Sequence, residues 1–298
     1  METQKIGGRT QLYGIFAHPI KHSLSPFLHN QSFLDNDIDA RYLAFDVEPN
    51  EFDAAMKSIQ ALNIGGLNLS MPYKEKALSY MDELSPEAEF IGAINTILNR
   101  DDVLIGYNTD GIGFVRSLEA ENIQLANQRV VLLGAGGASK AVAYQLCQNH
   151  VKEIIIFKRK NRTFQEVCNY FKGMSEKCHI PIRVFPYEDH LNLNHKIKNS
   201  DIIVNCTNIG MGHLEEAMPI NDLSILEKNQ VVVDLIYQPQ ETLFLKGAKK
   251  RGCHTINGLG ILLYQAAEAF NIWTGSDMSV SNIEETVKRK LYKEGSTS

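Results

Sequence analysis

The chain has 298 residues, 44% of them hydrophobic, which is enough for two packed cores of ordinary size. Thirty Lys and Arg against 35 Asp and Glu leave a net charge of -5 without a long basic run, so a nucleic-acid or anionic-membrane partner is not expected. There is no run of 18 apolar residues and no apolar signal core in the first ten. Five scattered cysteines, never spaced CxxC, fit reduced thiols in a cytoplasmic protein.

In chain order, Leu12–Ala17 reads as a short strand. Ser25-Pro26 reads as an N-cap followed by proline at the first helical position, opening a helix to about Asn36. A strand is expected over Arg41–Val47, a helix over Glu51–Leu62 and a strand over Gly65–Leu69. Short helices are expected over Tyr73–Tyr80 and Pro86–Ile91. Thr109–Glu121 reads as a linking helix. Strands then follow at Val130–Leu133, Ile154–Phe157, Ile182–Phe185, Ile202–Asn205, Val231–Asp234 and near Thr255, most of them separated by helical patterns. That alternation predicts a parallel sheet covered on both faces. The long apolar helix Gly260–Thr274 follows the last strand, where it could return to the first domain. The polar end, residues 293–298, is expected to fray. The expected organisation is α/β: a substrate and catalytic domain over 1–112, joined by helices within 260–298, and a Rossmann-type domain over 113–259.

The Rossmann expectation rests on Val130–Leu146, where an apolar strand runs through Gly134-Ala135-Gly136-Gly137-Ala138 into a helix. Gly134 suits the sharp turn and Gly136 a close backbone approach to a pyrophosphate held at the helix N-terminus. The third glycine of the usual fingerprint is replaced by Ser139. A glycine turn that binds nothing is the competing reading, and the strand–turn–helix–strand order argues against it.

Three polar clusters precede this unit. In His18–Pro26, Ser23 and Ser25 could direct two hydroxyls at one anion, unless Ser25 only caps its helix. In Asn68–Lys76, Lys74 lies at an expected helix start, an unfavourable place for a cation unless it has a role; an ordinary surface lysine is the alternative. Asn95 and Asp110 sit among small residues in Gly92–Ile97 and Gly106–Gly111, and Asp110 could be a simple N-cap. Beside Lys74, Asp110 would complete an ammonium–carboxylate pair suited to moving a proton at a ketone or alcohol oxygen. His18 and His22, four apart in a proline-containing loop with no acidic partner at ligand spacing, do not suggest a metal, and none is expected.

Seven segments occur in family order: His22-Ser-Leu-Ser-Pro26, Asn68–Lys74, Gly92–Thr96, Gly106–Gly111, Gly134–Ala138, Asn205–Met211 and Asn257–Gln265. With them the chain resembles the shikimate dehydrogenases over nearly its whole length. The resemblance implies a cleft between the two domains and reversible reduction of 3-dehydroshikimate to shikimate with NAD or NADP, by a monomer or homodimer. It implies that Ser23 and Ser25 hold the substrate carboxylate, that Ser70, Asn95 and Gln265 hold ring hydroxyls, and that Lys74 and Asp110 form the catalytic pair. Tyr237 would lie near nicotinamide and substrate. Lys158, Arg159, Lys160, Asn161, Thr207, Asn208, Leu235 and Gly258 would join the glycine turn in holding the dinucleotide.

After the second cofactor strand, members strict for NADP usually show Asn-Arg-Thr, whereas Phe157-Lys-Arg-Lys-Asn-Arg162 looks closer to the quinate/shikimate branch. That branch often carries an acid there that suits the NAD ribose, and Asn161 replaces it. The expectation is use of both cofactors with NAD favoured, and oxidation of quinate as well as shikimate. A folate-pathway dehydrogenase of similar domain order fits neither the double-serine loop nor Asn-Thr-Asp. A non-catalytic sensor of dinucleotide or shikimate would not need Lys74 and Asp110.

Overall fold

In the computed structural model, which describes residues 6–292, the apolar run Gln11–Ala17 forms strand β1, second from one edge of a six-stranded sheet. Helix α1 (Ser25–Asp35), β2 (Ala40–Asp46) and α2 (Phe52–Ala61) follow. α2 buries Phe52, Met56 and Ile59, the i, i+4, i+7 spacing of a helix with one apolar face. β3 (Gly66–Leu69) is buried throughout. Next come the two-residue β4 (Glu83–Leu84) and α3 (Pro86–Ile91), which Ser85 caps by accepting from the Ala88 N–H and which ends at left-handed Gly92. β5 (Thr96–Arg100) and β6 (Val103–Tyr107) pair antiparallel, and α4 (Asp110–Ala120) leads away. The sheet order is β2-β1-β3-β5-β6-β4.

The second sheet is wholly parallel, in the order β12-β11-β10-β7-β8-β9. Its elements are β7 (Arg129–Leu133), α5 (Gly137–Gln148), β8 (Glu153–Lys158), α6 (Phe164–Cys178), β9 (Ile182–Pro186), α7 (His190–Lys198), β10 (Ile202–Asn205), β11 (Val231–Asp234), α8 (Leu243–Lys250) and β12 (His254–Ile256). Val131, Leu133, Ile155, Phe157, Ile203 and Val232 form a buried cluster on one face, and the alternate residues Val130, Leu132, Ile154, Ile156, Ile202 and Val204 are buried too, as expected of strands covered on both faces. The order reverses between β7 and β10, the place where open α/β sheets bind ligands. Two helices close the chain, α9 (Leu259–Thr274) and α10 (Val280–Tyr292).

The chain divides into two units, one running to Gly113 and resuming over Leu263–Lys290, the other spanning Phe114–Leu262 and resuming at Leu291. The division falls inside α4, and the end of α10 groups with the second unit: the Tyr292 hydroxyl donates to the Tyr237 carbonyl at 2.7 Å. Within the first unit, Trp273 of α9 donates its indole N–H to the Ile97 carbonyl at 2.9 Å and lies tilted against the Tyr13 ring. A Cβ on Gly66 would lie 2.3 Å from that indole nitrogen.

The first sheet is mixed, because β5 runs antiparallel to both β3 and β6. Two local expectations are corrected. Ser25 does not cap α1: it is the first helical residue, the N-cap is Leu24, and no side chain caps it. The expected helix over 73–80 is a turn followed by a five-residue 3-10 segment, Lys76–Tyr80, so Lys74 faces no long helix dipole. The β5–β6 hairpin was not anticipated, and α10 falls within the helices expected over 260–298, which were given no separate bounds. The frayed end expected over 293–298 lies outside the described residues.

His29 is fully buried among Tyr42, Phe270 and Trp273, stacked on Tyr42 at 4.4 Å, and neither ring nitrogen makes a hydrogen bond. Burial lowers its pKa from 6.5 to about 3, with nearby Asn68 pulling the other way. Below pH 6.5 the unfolded chain binds a proton there that the folded chain refuses. This stability is therefore full above pH 6.5 and is lost as pH falls toward about 3. His29→Phe should remove this dependence. In urea titrations between pH 6.5 and 4, the variant's stability should fall less steeply than the wild type's, by about 1.4 kcal/mol per pH unit. Parallel pH curves would contradict the assignment.

Candidate active site

Lys74 and Asp110 come from separate segments of the first unit, one on the turn after β3, the other on the first residue of α4. Lys74 Nζ donates to Asp110 Oδ2 at 2.5 Å, with about a quarter of each side chain exposed. Asp110 is not a helix cap. Its own N–H donates to Asn108 Oδ1 at 3.2 Å, and Asn108 is anchored by donating to the Ala93 carbonyl. The second carboxylate oxygen of Asp110 accepts from Asn95 Nδ2 at 2.8 Å, so both oxygens are committed on the protein side.

Asn95 is the hub. Its Oδ1 accepts from the Thr109 N–H at 2.8 Å, which fixes the orientation of the amide and turns Nδ2 toward Asp110. Gln265 Oε1 of α9 lies 3.5 Å from the same Nδ2. The Asn95 carbonyl accepts from the Leu69 N–H and from Asn68 Nδ2, and Asn68 Oδ1 accepts from the Tyr42 hydroxyl at 2.7 Å. Burial raises the Tyr42 pKa well above 10, with nearby Ser25 pulling the other way. A polar chain therefore runs from Tyr42 through Asn68 and Asn95 to Asp110 and Lys74. Apart from it, Ser23 Oγ accepts from the Ser25 N–H at 3.3 Å. Ser70 starts the turn that carries the lysine: its N–H donates to Phe16 and its carbonyl accepts from Tyr73. Thr109, Asn68 and Tyr42 were not among the expected site residues. The signal for Asn68 was an amide inside the otherwise apolar Gly66-Leu-Asn-Leu69.

Tyr237 belongs to the second unit, with the other expected dinucleotide contacts. Gly134 has φ +105°, open to glycine at low cost, and a Cβ there would meet Thr207 Cγ2 at 2.8 Å. At Gly136 and Gly137 a Cβ would meet nothing within 4 Å, and no side chain caps the α5 N-terminus that Gly136 begins and Ala138 continues. Open backbone beside Ala135, with free N–H groups at a helix start, fits a pyrophosphate. The flanking loops are tied by a buried network. Asn205 Oδ1 accepts from the N–H and hydroxyl of Thr207, next to Asn208, while Asn205 Nδ2 donates to the Ile209 carbonyl and to Asp234 Oδ1. Asp234 also accepts from the Ile236 N–H and the Thr242 hydroxyl. Burial raises its pKa to about 6 against these bonds. Gly258 packs so tightly on Leu235 that a Cβ would fall 2.1 Å from the Leu235 carbonyl oxygen.

Lys158, the last residue of β8, is partly buried, while Arg159, Lys160, Asn161 and Arg162 beyond it are exposed. An Asn-Arg-Thr triplet is present after all, at Asn161-Arg162-Thr163, three residues beyond the strand end. There Asn161 Oδ1 accepts from the Thr163 N–H and hydroxyl. Among the described residues no three His, Cys, Asp or Glu side chains gather as a metal site, and no helix is long and apolar enough to cross a membrane.

Three family models match consecutive parts of the chain: the shikimate dehydrogenase substrate binding domain at residues 15–97, shikimate / quinate 5-dehydrogenase at 117–241, and the shikimate 5'-dehydrogenase C-terminal domain at 258–288. The shikimate dehydrogenase (NADP(+)) of Streptococcus mutans is 42% identical over 97% of this chain and 99% of its own. The crystal structure of shikimate 5-dehydrogenase from Listeria monocytogenes, in complex with shikimate and NAD, superposes with a TM-score of 0.91 at 38% identity, covering 96% of this chain and 99% of that one. Quinate dehydrogenase from Corynebacterium glutamicum, in complex with NAD, gives 0.84 at 28% identity, covering 93% and 98%. With an ammonium–carboxylate pair in one unit and a Rossmann-type sheet in the other, the chain belongs to the shikimate dehydrogenase family of NAD(P)-dependent oxidoreductases.

Proposed function

We propose that this chain interconverts 3-dehydroshikimate and shikimate in aromatic amino acid biosynthesis, in the cytoplasm, with Lys74 and Asp110 as the catalytic pair. The observation that carries this reading is the 2.5 Å contact between Lys74 and Asp110, with the other Asp110 oxygen fixed by Asn95. When bound, the nicotinamide supplies or accepts the hydride. Gly134, Ala135, Gly136, Gly137 and Ala138 would hold its pyrophosphate, and Thr207, Asn208, Leu235, Tyr237 and Gly258 its nicotinamide end. As the ring ketone gains alkoxide character, Lys74 Nζ donates a proton to the oxygen, and in the reverse direction it takes the alcohol proton. Asp110 orients the lysine, and Asn95 prevents the carboxylate from rotating away. Ser23 and Ser25 hold the substrate carboxylate, while Ser70, Asn95 and Gln265 hold ring hydroxyls. Both cofactors serve, NAD is favoured, and quinate is oxidised by the same site.

The first test is absorbance at 340 nm when shikimate is mixed with the protein and NAD or NADP. A rise is expected with each, and a non-catalytic sensor would give none. Lys74→Ala should lower kcat by about 100-fold or more with a smaller change in KM, and Asp110→Asn should also be severely impaired. Near-normal kcat in folded Lys74→Ala would rule out its role.

The serine pair acts on a carboxylate whose charge does not change during the reaction. Replacing both Ser23 and Ser25 with alanine should therefore raise the KM for shikimate and leave dinucleotide binding intact. Unchanged shikimate affinity would mean that the carboxylate is held elsewhere. For cofactor and substrate range, the measurement is kcat/KM for the four combinations of NAD or NADP with shikimate or quinate. A preference for NADP above about 100-fold, roughly 2.7 kcal/mol, would refute dual use.

A further inference from the structure

Asn161 leaves the loop after β8 without the carboxylate that commonly holds an NAD ribose, yet the fold brings one from another strand. The Tyr187 N–H donates to the Lys158 carbonyl at 3.0 Å, which extends the pairing of β8 with β9 just past the last paired residues, Lys158 and Pro186. That extension seats the next residue, Glu188, against the loop. Both of its carboxylate oxygens lie 3.2 Å from the Lys160 backbone N–H, which donates to them. Glu188 thus stands at the carboxyl end of β8, the place where a Rossmann-type sheet presents an acid to the ribose hydroxyls.

A second observation lies beside it. The Tyr187 hydroxyl is buried without a hydrogen-bond partner, and burial raises its pKa, with the Arg159 guanidinium pulling the other way. A buried hydroxyl left unpaired is costly in a folded chain, and a ligand with hydroxyl groups at this edge would relieve it. The surrounding cations, Lys158, Arg159, Lys160 and Arg162, would attract a 2′-phosphate, and a carboxylate among them opposes one.

We infer that Glu188 is the specificity-determining residue of the ribose subsite, accepting hydrogen bonds from an unphosphorylated ribose and repelling a 2′-phosphate. The inference rests on the proposal that the second unit holds NAD(P). It explains how a loop rich in cations and lacking its own acid still favours NAD.

The test compares wild type with Glu188→Gln, which keeps an acceptor for the Lys160 N–H and removes only the charge, and with Glu188→Asp, which keeps the charge. With saturating shikimate, the ratio of kcat/KM for NADP to that for NAD should rise at least about tenfold in Glu188→Gln, chiefly through a lower KM for NADP. In Glu188→Asp the ratio should stay near the wild-type value. The shift in Glu188→Gln should shrink in about 1 M NaCl, where an exposed charge is screened. A purely structural role would depress both cofactors together and show no such salt dependence. A ratio within about twofold of wild type in Glu188→Gln, measured on enzyme that turns over both dinucleotides, overturns this inference and leaves the proposed function standing. Wild-type protein that reduces neither dinucleotide overturns both.

Discussion

One amide holds the chemistry of the first unit together. Asn95 lies between β3 and β6, its N–H donating to the Tyr107 carbonyl and its own carbonyl accepting from the Leu69 N–H, so its main chain is part of the sheet. Its side chain reaches the start of α4, accepting from Thr109 and donating to Asp110. A carboxylate on a helix and a lysine on a turn are thereby registered against one rigid strand pair. An ammonium on a flexible stem has no fixed direction of its own, and here the direction is imposed through two hydrogen bonds by a residue that is 2% exposed.

The second unit applies the same principle to backbone. Asn205 and Asp234, at the ends of adjacent strands, tie their loops to each other and to Thr242 through buried bonds. Neither side chain needs to touch a ligand to matter, because each fixes the path of the peptide groups around it. Gly134 and Gly258 complete the arrangement by subtraction, since a side chain at either would push Thr207 or Leu235 out of place.

The parallel sheet was legible because a strand covered on both faces must be apolar throughout, and Val130–Leu133, Ile154–Phe157 and Ile202–Val204 can hardly be read otherwise. The Lys74–Asp110 pair was legible as chemistry, but its geometry was not, because the residues are 36 apart and Asn95 is what aligns them. The β5–β6 hairpin was missed although its turn is written as Asp101-Asp102, both at positive φ, the conformation that two-residue hairpin loops require. The bounds of α10 were not read although Ile283 and Val287, four apart, mark its buried face. Glu188 was beyond sequence reasoning of this kind. An acid expected within its own βαβ loop arrives from the next strand, and only strand pairing reveals that.

Trp273 also has a consequence for how the protein is made. The first unit begins at the N-terminus but has a hole beside Gly66 and Ile97 that is filled by an indole 176 positions further along the chain than its acceptor. On a ribosome, which releases the chain from its N-terminus, the first sheet emerges early and must wait for α9. Most of the second unit emerges in one uninterrupted stretch and can close while the first is still missing its tryptophan. The order of synthesis and the order of completion are reversed, and the unit bearing Lys74 is finished only after α9 has followed the main stretch of the second unit.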